Sequence, residues 1–139
     1  MKSKYYYPAI ITKDDCGYSV EFPDLVGCNT SGATQEEAFN MAEDALALFI
    51  YGLEDSNAEI PKPGDIRKIA VPKKGVIAVI GCDTMYYRKR FCSKAVKKTL
   101  SIPSWLNEIA EREGINFSQV LQNGLMRSLK IDSAGKSLE

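Results

Sequence analysis

Residues 97–131 read KKTLSIPSWLNEIAEREGINFSQVLQNGLMRSLKI, and the way this stretch buries its apolar positions decides the architecture. From 97 to 102 the residues alternate. Leu100 and Ile102 fall on one side and Lys97, Thr99 and Ser101 on the other, the period-two pattern of a strand with one buried face. Pro103 ends the strand, because proline donates no ladder hydrogen bond and suits the first turn of a helix. A helix is predicted over 104–113, with Leu106, Ile109 and Ala110 at i, i+3, i+4 beside Trp105, and Gly114 as its C′ residue. A second helix opens with Asn116 as N-cap and Gln119 three residues on, a capping-box arrangement. Its apolar face is Phe117, Val120, Leu121, Gly124, Leu125 and Ser128/Leu129. Gly124 costs this helix about 1 kcal/mol relative to alanine, which points to a close helix crossing at that position.

A segment this short cannot close a core alone. Chains below about 40 residues usually need a metal, a disulfide or a second copy, and this one has neither metal nor disulfide device. Pairing the strand with its own copy gives a two-stranded antiparallel ribbon backed by helices, with Leu100, Ile102, Trp105, Leu106, Ile109, Val120, Leu121 and Leu125 as the dimer core. The polar side of that ribbon presents Lys97, Thr99 and Ser101, and such a ribbon fits the DNA major groove. The alternation in TLSI, the proline followed by W-L, the glycine between helices and the N-x-S-Q helix start resemble the ribbon-helix-helix repressors of bacteria. The resemblance implies that Lys97, Thr99 and Ser101 touch base edges. It also implies that amides near Asn116, Phe117 and Ser118 hold a phosphate.

The chain of 139 residues carries 18 basic and 18 acidic side chains, but the balance hides a split. Residues 1–60 hold three basic against eleven acidic groups, a formal charge of −8, whereas residues 86–130 hold nine basic against three acidic, +6. Asymmetry of this kind fits a DNA-facing end joined to an end that would repel DNA and could attract a basic partner. Cys16, Cys28, Cys82 and Cys92 lie far apart, no C-x-x-C occurs and histidine is absent, so no zinc site is predicted. With no signal peptide and no apolar run of membrane-spanning length, the cysteines read as reduced thiols in a cytoplasmic protein.

In the first half, residues 5–12 (YYYPAIIT) form a predicted strand with Pro8 at an edge or bulge. A turn at 14–17 leads to a hairpin partner in which Tyr18, Val20 and Phe22 face inward. After a turn at 23–27 comes a short strand over 28–31. A helix follows, with Thr34 as N-cap and Glu37 as capping-box partner. Its apolar stripe is Ala38, Met41, Ala42, Ala45, Leu48 and Phe49, ending near Gly52. Residues 57–74 read as an irregular connection, 76–82 (VIAVIGC) as a buried strand, and 83–94 as a basic-aromatic link with the option of a helical turn. The expected fold is α+β: a β-β-β-α-β domain over 1–83 with an antiparallel sheet and one helix, a basic linker over 84–94, a strand-helix-helix module over 95–131, and a disordered tail over 132–139.

The run YPAIITKDDCGYSVEFPDLVGCNTSGATQEEA, residues 7–38, resembles the HicB antitoxin family of bacterial toxin–antitoxin modules. That resemblance implies a partial RNase H-like domain that binds and blocks HicA, a small basic RNA-binding ribonuclease toxin that cleaves mRNA. The C-terminal module would bind operator DNA and repress the operon, as a homodimer or a tetramer. The acidity of residues 1–60 agrees independently with a basic partner. Candidate toxin contacts are the acidic helix face, Glu36, Glu37, Glu43 and Asp44, and the turn Asp24, Leu25 and Val26. Neither cofactor nor metal is called for, and the chain is expected not to be an enzyme. Asp14, Glu21 and Asp24 form an imaginable magnesium set, yet two of them sit in turns that favour aspartate for backbone reasons. A further reading is a stand-alone repressor whose first domain senses a ligand in a pocket of Tyr5, Tyr6, Tyr7, Tyr18, Phe22, Tyr86 and Tyr87.

Overall fold

The computed structural model describes residues 2–131, so the tail expected over 132–139 lies outside the described residues. Strands β1 (Lys4–Asp14), β2 (Gly17–Glu21) and β3 (Asn29–Gly32) precede helix α1 (Gln35–Asp55). Strand β4 (Gly75–Asp83) and helices α2 (Thr84–Phe91), α3 (Ser104–Arg112) and α4 (Phe117–Ser128) complete the chain. The sheet is antiparallel in the order β3-β2-β1-β4, so the fold is α+β with the expected β-β-β-α-β start.

Local chemistry sets each corner. At the β1–β2 turn the Asp14 carboxylate accepts a hydrogen bond from the Cys16 amide at 2.8 Å, and Gly17 adopts φ +137°, a conformation L side chains rarely take. Thr34 caps α1 as expected, its hydroxyl accepting from the Glu37 amide at 3.1 Å, while the Glu37 carboxylate reaches back to the Ala33 amide at 3.0 Å. Gly32 lets this helix start close to the sheet, because a Cβ there would stand 2.4 Å from the Ala38 nitrogen.

The core lies between α1 and one sheet face. Tyr5, Tyr7, Ala9 and Ile11 alternate along β1 and join Val20, Phe22 and Ile80 against Ala38, Ala42, Leu46 and Ile50 of α1. These helix positions differ from the expected stripe. Ala38 and Ala42 are buried as predicted and Ala45 and Phe49 half-buried, but Met41 and Leu48 are 42 % and 56 % exposed. The run ALALFI is apolar around most of a turn, so its periodicity fits two rotational phases; the sheet selects the one that inserts Leu46 and Ile50.

Strand β1, not β4, is central, since it pairs with β2 on one side and β4 on the other. The expected buried strand is therefore an edge strand, with Ile80 buried and Val76 and Val79 61 % and 54 % exposed. Pro8 sits where β1 has β4 alone beside it, because β2 pairs only from Ile10 onward. Local edge geometry of that kind tolerates a missing amide donor. The connection between α1 and β4 is irregular except for a 3-10 turn at Ile66–Lys68 capped by Asp65, and it is anchored: Ile60 packs on the core, the Tyr7 hydroxyl donates to the Pro61 carbonyl, and the Gly64 amide donates to Asp24 at 2.9 Å.

Most of the expected linker over 84–94 is helix. Asp83 caps α2 by accepting from the Met85 amide at 3.0 Å, and Tyr87 stacks between Tyr51 of α1 and Phe91 at centroid distances of 5.3 and 4.7 Å. Arg88 lies 4.6 Å from the centre of the Tyr51 ring and 3.8 Å from the Glu54 carboxylate, which fastens α2 to α1. Beyond it, residues 92–103 carry no regular secondary structure. The strand expected over 97–102 is not formed: among the described residues these positions have no ladder partner, and an extended segment without one makes no strand.

Candidate functional site

The candidate residues fall on three surfaces, each built from a different part of the chain. The first is the acidic face. Glu36, Glu37, Glu43 and Asp44 are all exposed on α1, the first two in its opening turn, where the helix dipole favours a carboxylate. The neighbouring turn divides its residues. Val26 is 93 % exposed, Asp24 is half-buried and holds the Gly64 amide, and Leu25 is 1 % exposed inside the core. A turn flanked by proline and glycine suggests a surface position for Leu25. Instead the turn folds inward through hydrogen bonds from the Leu25 amide to the Phe22 carbonyl at 3.1 Å and from the Cys28 amide to the Leu25 carbonyl at 3.0 Å. A partner docking on this face therefore meets Val26 and the acids, not Leu25.

The second surface is an open cleft of about 680 Å³ at the end of β4. Glu43, Asp44 and Ala47 of α1 form one wall and Tyr86, Tyr87, Arg90 and Phe91 of α2 another, with Lys4, Tyr6, Gly81, Cys82 and Asp83 between them. Of the aromatic residues considered for a ligand pocket, Tyr5, Tyr7 and Phe22 are core and Tyr18 packs against it, leaving Tyr6, Tyr86 and Tyr87 in the cleft. Asp83 and Phe91 were missed from sequence; the aspartate before Thr84 is a helix N-cap signal that would have found α2 and with it this wall.

Asp14, Glu21 and Asp24 do not form a metal set. Among the described residues no group of three or more acidic, cysteine or histidine side chains is placed to hold an ion. The four cysteines are unbridged. Burial pushes the Cys28 thiol up to about 11 and the Cys82 thiol up to about 12, with Glu54 adding to the latter, so both stay protonated and unreactive at neutral pH. No helix among the described residues is long and apolar enough to cross a membrane.

The third surface is the C-terminal module. Gly114 ends α3 with φ +67°, and Asn116 caps α4 by accepting from the Gln119 amide at 3.1 Å, as the sequence implies. The Gln119 side chain runs forward to Asn123 at 3.0 Å instead of closing the capping box. Phe117 and Ser118 occupy the first turn of α4, and Lys97, Thr99 and Ser101 lie exposed in the segment before α3. Neither helix packs extensively on another element of the chain. In consequence all eight expected dimer-core residues are solvent-exposed in the single chain, from 37 % at Leu121 to 63 % at Trp105. The space beside Gly124 is open as well: apart from its own helix backbone and chain neighbours, no atom of the described residues lies within 4 Å of where its Cβ would be.

Comparison with known proteins places these surfaces in context. A family model described as the HicB-like antitoxin of bacterial toxin–antitoxin systems matches residues 7–123, from the middle of β1 into α4. Antitoxin HicB 2 of Photorhabdus laumondii subsp. laumondii is 42 % identical over 142 aligned positions, covering 100 % of this chain and 97 % of the relative. Antitoxin HicB 1 of the same organism is 32 % identical over 140 positions, covering 98 % and 81 %. Among solved structures, a chain of a toxin–antitoxin complex from Streptococcus pneumoniae superposes with a TM-score of 0.59 at 28 % identity, over 90 % of this chain and 99 % of that one.

Proposed function

We infer, from the premise that this chain belongs to the HicB-like antitoxin family, that it binds and neutralises a HicA-type mRNA-cleaving toxin and represses its own operon. The family consists of non-enzymatic regulators, so the carboxylates are binding groups and not catalysts. The observation that carries the reading is the extent of the family match, which spans both the acidic sheet domain and the basic helical module. The sheet domain, read as a partial RNase H-like unit, meets the toxin. Its surplus of carboxylates speeds encounter with a basic RNA-binding protein and selects for it.

The helical module is the DNA reader. Eight large apolar side chains on one short segment are too many to leave in water, since burying each contributes about 1.5–3 kcal/mol. A second copy covers them, pairs residues 97–102 into a ribbon and fills the open space at Gly124. Lys97, Thr99 and Ser101 then face base edges, and the free first-turn amides of α4 near Asn116, Phe117 and Ser118 take a phosphate. The working species is a cytoplasmic homodimer.

The two activities separate along the chain. Because α2 is stacked on Tyr51, a fragment cut at Asp83 would leave that ring and the α1 surface bare, whereas one ending at Cys92 keeps the packing intact. Residues 1–92 are expected to bind the purified product of the small gene beside this one in a calorimetric titration, and to give no shift of the DNA upstream of the operon. Loss of toxin binding in that fragment would show that the acidic domain is not the toxin-binding unit.

A further inference from the structure

Nothing among the described residues pairs with the outer edge of β4. Sheet edges are usually guarded by a lysine, a proline, a bulge or a covering element. From Val76 to Cys82 the strand has no charge and no proline, and Val76 and Val79 are well exposed. The cleft lies along the C-terminal end of this edge. It is lined from both sides of the sheet, by Tyr6 and Gly81 on the face away from α1 and by Cys82 and α1 on the other, so its floor is the edge itself. The Tyr6 ring lies across Gly81, where an added Cβ would be 2.7 Å from it, and no side chain at 81 obstructs an approaching main chain.

The walls favour a cation. Glu43, Asp44 and Asp83 outnumber Lys4 and Arg90, and Lys4 stands opposite Asp83 in the β1–β4 register, leaving Glu43 and Asp44 as the carboxylates of the α1 wall. Tyr6 and Tyr86 are 61 % and 48 % exposed, with ring faces available to a basic side chain.

We propose that an extended basic segment of the toxin adds to the free edge of β4 as a further strand, its main chain bonded to β4 and a lysine or arginine seated between the acids of α1 and the rings of Tyr6 and Tyr86. Strand addition of this kind takes affinity from main-chain hydrogen bonds and specificity from the flanking pockets. The proposal rests on the antitoxin reading and locates its toxin contact.

The test uses the full chain and the purified product of the adjacent small gene. Glu43→Lys with Asp44→Lys, both exposed, should weaken binding by about tenfold or more, while Asp15→Lys with Glu21→Lys, an equal charge change remote from the cleft, should leave it within about threefold. Hydrogen exchange of the β4 amides should slow when the toxin is added. If the unmodified chain binds but both double variants bind equally well, or β4 exchange is unchanged, the proposal is overturned and the antitoxin reading stands. Slow, concentration-dependent β4 exchange without toxin would overturn it in favour of a second copy at the edge. A chain that does not bind the toxin at all overturns both.

Discussion

Leu121→Asp should leave the chain monomeric at micromolar concentration and without measurable affinity for its operator, with the unfolding of the sheet domain unchanged. Leu121 is 37 % exposed in the isolated chain, so an aspartate there is tolerated by the monomer. In the dimer it enters a dry seam without a partner, and an uncompensated buried charge costs about 3–5 kcal/mol. A two-fold interface contains the residue twice, so the penalty is doubled. Each 1.4 kcal/mol is about a tenfold change in Kd, so the doubled penalty of about 6–10 kcal/mol moves even a nanomolar dimer to roughly tens of micromolar or weaker. Sedimentation equilibrium reads the outcome, and a dimer that survives at micromolar concentration would refute the packing of α3 and α4 across two copies.

Lys97→Ala combined with Thr99→Ala should spare the dimer and abolish sequence discrimination. Each lost base contact costs about 1–3 kcal/mol, and a symmetric ribbon loses both side chains from both strands. Operator affinity should therefore fall on the order of a thousandfold while affinity for unrelated DNA falls far less, because phosphate contacts carry most of the non-specific binding. Equal operator affinity in the variant and the parent would remove the ribbon assignment, whatever the oligomeric state.

What could be read from the sequence was what short-range chemistry decides. The Thr34–Glu37 box, the Asn116 cap on the Gln119 amide, Gly114 and the hairpin turn at Asp14 all rest on interactions within a few residues, and the structure has them, though the Gln119 side chain does not close its box. The readings that shifted depend on tertiary neighbours. The phase of α1 was ambiguous because residues 45–50 are apolar around the helix, and only the sheet picks Leu46 and Ile50 over Leu48. An apolar run such as that of β4 looks the same in a central strand and in an edge strand with one open face. Leu25 carries turn neighbours but a core side chain, and nothing local distinguishes the two. Residues 97–102 are the converse case: their alternation is plain in the sequence, yet the single chain leaves them without a ladder partner among the described residues.

The candidate sites divide in the same way. The acidic residues of α1 could be named from sequence because a helix cap fixed their register, and they are exposed where expected. The cleft could not, because it joins residues from β1, α1, β4 and α2 that only the sheet order brings together.

The proposed role of this protein is to silence a toxin encoded beside it. The measurement that tests it most directly is growth of cells in which the adjacent small gene is induced alone and then together with this chain. Arrest in the first case and recovery in the second is the predicted result, with recovery also supplied by residues 1–92. A neighbour that arrests growth regardless of this chain, or that does no harm when expressed alone, would contradict the account.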